Sequence, residues 1–199
     1  MEITKNEIEK LFPSVYITLV SILLGFAVED VVTRLGQLAT LEAFDVLAAG
    51  GILSGIIAAW IGYSFVSMTQ ERLPRVWDAI HVFFLAFGFY FLISTMGKEI
   101  WLFFFALSIY QLLGTVATVY NANILAQSLA NMPGWRIFPW NILLTFSGTA
   151  IYLGSALALK QELLHSGAAI FLGVYFILTN IAWAYLFYRG WSDLVERIS

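Results

Sequence analysis

Six long apolar runs, almost free of charge, leave this chain few ways to fold. A helix needs about 20 apolar residues to cross roughly 30 Å of hydrocarbon. The runs fall at about 11–37, 44–70, 77–97, 100–128, 138–159 and 163–188. No charge occurs between Val46 and Gln70, and none between Ile100 and Arg136. The third run meets only Asp78 and His81, both near its start. None alternates polar and apolar residues as the strands of a transmembrane barrel would. The expected fold is an all-α integral membrane protein. Residues 1–199 form one transmembrane domain, a six-transmembrane-helix bundle with no soluble domain.

Composition agrees with lipid as the solvent. The chain is 60% hydrophobic and 12% charged, against about 25% charged in ordinary soluble domains. That much apolar surface would aggregate in water. The absence of cysteine excludes disulfides, thiolate metal sites and cysteine nucleophiles. No basic stripe exists to neutralise phosphates, so no nucleic-acid partner is expected. The opening MEITKNEIEK mixes acids with lysines and does not read as a signal-peptide n-region, so the first span is expected to be retained.

Lys and Arg set the expected orientation. One side collects Lys5, Lys10, Arg72, Arg75, Arg136, Arg189 and Arg197; the other collects Arg34, Lys98 and Lys160. Both termini are therefore expected in the cytoplasm, with the chain in the plasma (inner) membrane. Pro74 and Pro133 mark the second and fourth connections as turns, since proline cannot easily continue the preceding helix.

The first span carries the strongest functional signal. Ser14, Thr18, Ser21, Gly25, Glu29, Thr33 and Gly36 recur every three or four residues, which places them on one helix face. Such a face can line a water path or form a packing seam. Glu29, Asp30 and Arg34 lie inside the same run. Asp30 and Arg34 have the spacing to pair along the helix, which leaves Glu29 outside the pair. In a homo-oligomer, Glu29 and Asp30 would form an acidic ring that favours cations. A snorkelling cluster at the headgroups is the plainer alternative. Further along, Gln111, Thr115, Thr118 and Asn121 are too polar to face lipid tails and are expected to line the deeper part of a path. Gly51, Gly55 and Ala59 form a small-residue row suited to close helix packing.

Asp78 with His81, and Glu162 with His165, share a spacing that resembles bundle metal sites. They fall at opposite mouths of the bundle, and each pair alone supplies too few ligands. No metal site is expected, and a bis-histidine haem fails for the same reason. Each pair could instead sense pH or simply end a helix in solvent. No mid-span lysine, phosphate loop, HExxH or GxSxG is present, so neither a cofactor nor an enzymatic activity is expected.

These residues point to an oligomeric channel passing a small inorganic ion, a cation or proton, through surrounding lipid. Two alternatives stay open. One is a secondary transporter for a small solute. The other is a scaffold or sensor subunit that binds lipid or a partner protein through its aromatic runs.

Overall fold

The computed structural model describes residues 5–68, 76–130 and 138–198. They form six helices: α1 Lys5–Gln37, α2 Ala43–Met68, α3 Val76–Ser94, α4 Ile100–Ala130, α5 Pro139–Lys160 and α6 Ser166–Ile198. All six are long and apolar enough to cross a membrane, which marks an integral membrane protein. Pro74 and Pro133 lie outside the described residues. So do Arg72, Arg75 and Arg136, three of the seven cations on which the expected orientation rests.

The helices close into a ring in the order α1, α2, α6, α5, α4, α3, with cross-contacts between α4 and α6 and between α2 and α3. Between helices in lipid there is little hydrophobic driving force, so close packing and interhelical hydrogen bonds must hold the ring. α2 and α6 run parallel along a seam of small residues. A methyl on Gly51 would overlap the Phe176 ring, and one on Gly62 would lie 2.8 Å from the Trp183 indole. At that approach the Asn180 amide donates to the Gly51 carbonyl and to Ser54 Oγ, both at 3.0 Å. Between α3 and α4, Phe89 packs on Tyr110 at 4.7 Å, and between α5 and α6, Tyr152 meets Phe176 edge-on at 6.0 Å. These are favourable aromatic geometries.

Two of the boundaries that differ from the sequence expectation do so for local reasons. The third helix stops at Ser94 rather than running to Gly97. A hydrogen-bonded turn follows, in which Gly97 takes φ +69°, a conformation that suits glycine. The sixth begins at Ser166 rather than 163, because α5 ends in a Schellman motif. Leu163 N–H donates to the Ala158 carbonyl at 2.9 Å and Glu162 N–H to that of Leu159 at 3.1 Å. Glu162 takes φ 59° in this motif, where glycine is usual. At the start of α2, Glu42 N–H donates to Asp45 Oδ2 at 3.1 Å. Asp45 thus reaches back over the free helix end as in a capping box.

Candidate functional site

α1 is two-faced. Tyr16, Val20, Leu24, Ala27 and Val31 are buried against the bundle, and their spacing keeps them on one side. Ser14, Thr18, Ser21, Gly25, Glu29, Thr33 and Gly36 are all exposed on the opposite side. In a single chain the polar stripe therefore lies on the outer surface and encloses nothing. The Ser14, Thr18 and Ser21 hydroxyls turn back to carbonyls of their own helix. Arg34 does not reach Asp30. Its Nε and Nη2 donate to the Met96 carbonyl at 3.0 and 2.8 Å, satisfying a carbonyl at the end of α3 that the helix itself leaves open.

The polar residues of α4 point the other way, into the ring. Gln111, Thr118 and Asn121 line a central cavity of about 70 Å³, together with Gly55, Ala59 and Tyr63 of α2, Thr145 of α5 and Asn180 and Trp183 of α6. That space suits a few waters or one small solute; an apolar cavity of about 150 Å³ takes benzene. Among the described residues, no charged side chain lines it. Thr115 is buried one turn from Gln111, with its hydroxyl given to the Gln111 carbonyl at 2.8 Å. Of the row Gly51, Gly55 and Ala59, the first faces Phe176 of α6, while the other two line the cavity.

Two polar groups in the cavity wall have no hydrogen-bond partner among the described residues: the Tyr63 hydroxyl and Trp183 Nε1. A buried donor left unpaired costs about 1–3 kcal/mol, so such groups are rare in native folds. Both side chains border the cavity, while these two atoms are themselves covered by their neighbours. Trp183 Nε1 can only donate, whereas the Tyr63 hydroxyl can donate or accept.

Beside this wall lies a second polar cluster. Asp78 and His81 are not solvated helix ends; they are 3% and 7% exposed. His81 Nδ1 bonds the Trp77 carbonyl at 2.5 Å, and Nε2 meets the Tyr16 hydroxyl at 3.0 Å. Tyr63 stacks on the imidazole at 5.4 Å and Tyr120 lies 5.1 Å away. The Tyr120 hydroxyl donates to Asp78 Oδ1 at 3.3 Å. The burial has a simple cause: α1, α2 and α4 each bring a tyrosine to the same turn of α3.

Glu162 and His165 are not on a helix. Both are exposed in the connection between α5 and α6. Among the described residues, no three or more His, Asp or Glu side chains gather in a way that could hold a metal ion.

No protein-family model, curated protein or solved structure matches this chain. The functional reading therefore rests on the geometry above.

Sequence reasoning singled out Gln111, Thr118 and Asn121, but not Tyr63, Asn180 or Trp183. Thr179-Asn180 in the middle of an otherwise apolar run was a usable signal, since a mid-span amide must find partners inside the bundle. Tyr63 and Trp183 carried none, because an aromatic residue within an apolar span suits lipid contact as well as the bundle interior.

Proposed function

We propose that this protein moves a small uncharged solute across a membrane, with the central cavity as its solute site. The observation that carries this reading is the central cavity itself, walled by neutral polar side chains, Thr145 and Asn180 among them. Gln111, Thr118 and Asn121 supply further neutral donors and acceptors. The lack of a charged lining among the described residues disfavours an ion here, because a bare charge in such a site would go uncompensated. The cavity volume limits the solute to something smaller than benzene, in the class of urea, small amides and small polyols.

Proteoliposome shrinkage and re-swelling under urea and ethylene glycol gradients tests the reading. Protein-containing vesicles should re-swell faster than protein-free ones for at least one of these solutes. Asn121→Leu should slow that phase by roughly fivefold, the factor one lost hydrogen bond commands. Re-swelling no faster than in protein-free vesicles for every solute tried would end the reading.

A second reading keeps the conduction expected from the first helix. The polar stripe of α1, with Glu29 on it, is exposed on the outside of the bundle. Polar residues facing lipid are expensive, and a second copy packed there would cover them. A homo-oligomer in the plasma membrane would then enclose the stripe and its acids, and pass a small cation between subunits. Under this reading Glu29→Gln lowers cation-over-anion preference in a planar-bilayer reversal-potential measurement. Unchanged selectivity would remove Glu29 from the path.

A further inference from the structure

Tyr63 belongs to two sites at once. It borders the central cavity, and its ring stacks on His81 with an interplanar angle of 24°. The His81 hydrogen bonds determine which way its protons point. The Trp77 carbonyl can only accept, so Nδ1 carries a hydrogen. In the neutral ring Nε2 is then an acceptor, and the Tyr16 hydroxyl must donate to it. Adding one proton turns Nε2 into a donor and reverses that bond. The Tyr16 hydrogen must then find another direction, at the contact between α1 and α3.

Tyr16 from α1, Tyr63 from α2 and Tyr120 from α4 meet the imidazole, and Asp78, one turn earlier on α3 itself, accepts from the Tyr120 hydroxyl. Of the three rings only Tyr63 offers its face to a new positive charge there, since Tyr16 and Tyr120 are tilted at 46° and 54°. An imidazolium attracts a stacked aromatic face more strongly than a neutral imidazole does. The ring that answers is Tyr63, which is also part of the cavity wall.

We propose that His81 is a proton-binding site that controls access to the central cavity through Tyr63. Protonation draws the Tyr63 ring toward His81 and away from the cavity, and so widens it. This rests on the reading of the cavity as the solute site. It makes proton binding and solute entry linked events, because a ligand that favours the wide state must also favour the protonated one.

The natural absence of cysteine allows a direct test in the full-length protein in liposomes. A Thr118→Cys reporter places one thiol in the cavity wall. Its reaction rate with a small methanethiosulfonate reagent is measured from about pH 8 to about pH 5.5, the window in which histidine changes charge. The same measurement in a His81→Gln background corrects for the thiol's own pH dependence. Relative to that background, the rate should rise about fivefold as the pH falls. Tyr63→Leu, which removes the stacked ring, should flatten the response. Nitrogen NMR of unmutated protein labelled at histidine needs no variant at His81. The exposed His165 provides the only other imidazole, and the His81 signals should change over the same window as the rate.

A rate that tracks the His81→Gln background at every pH, or a His81 ring that stays neutral throughout, overturns the proton site and leaves the cavity reading standing. A Thr118→Cys reporter whose thiol never reacts at any pH overturns both.

Discussion

Gly51→Leu is expected to break the contact between α2 and α6 and to cost about 3 kcal/mol, at the upper end of the usual overpacking range. A single methyl at this position already overlaps the Phe176 ring. Phe176 is fully buried and is held from behind by Tyr152 at 6.0 Å, so it has little room to give. Forcing the helices apart would also stretch the Asn180 amide away from the Gly51 carbonyl and Ser54 Oγ. Lost polar bonds between membrane helices cost roughly 0.6–2 kcal/mol each. The measurement is unfolding in mixed detergent micelles by a denaturing-detergent titration. A midpoint unchanged from the parent would mean that the seam is looser than its geometry implies.

Gly114→Leu should have the opposite character. No atom lies within 4 Å of a methyl built on Gly114, and the residue lines the central cavity. A leucine side chain there grows into open space. Removing a helical glycine favours the helix by about 1 kcal/mol, so the fold should be kept or strengthened. Solute flux should nevertheless fall by roughly tenfold or more, because the added side chain takes the volume the solute would use. Paired melting and vesicle re-swelling curves check this. Intact folding with undiminished flux would mean that the transport path lies elsewhere and would favour the outer stripe of α1. The two glycines sit in one bundle, so the pair separates the role of packing from the role of the site.

The helical architecture was largely legible from the sequence, because an uncharged run of 20 or so residues has one economical state in lipid. Helix ends were less legible. Gly97 and Glu162 redirect the chain through single left-handed residues, and nothing marks a glutamate in advance for that role. The face of α4 that turns inward could be read because Gln111, Thr118 and Asn121 cannot be left in hydrocarbon. The inward turn of Asp78 and His81 could not. It depends on three tyrosines from three other helices converging at one level, and linear order does not say which helices are neighbours. The same limit applies to α1. Its periodicity correctly separates two faces, but only the ring order tells which of them the bundle covers.

That ring order also constrains how the molecule can be made. The glycine side of α2 is completed by α6, which leaves the ribosome long after α2. At synthesis rates of about 5–20 residues per second, the hundred or so residues between them keep Gly51 and Gly55 waiting for roughly 5–20 seconds. During biogenesis that groove must be shielded by lipid or by the insertion machinery. A nascent chain halted after α5 would remain an open crescent, unable to close.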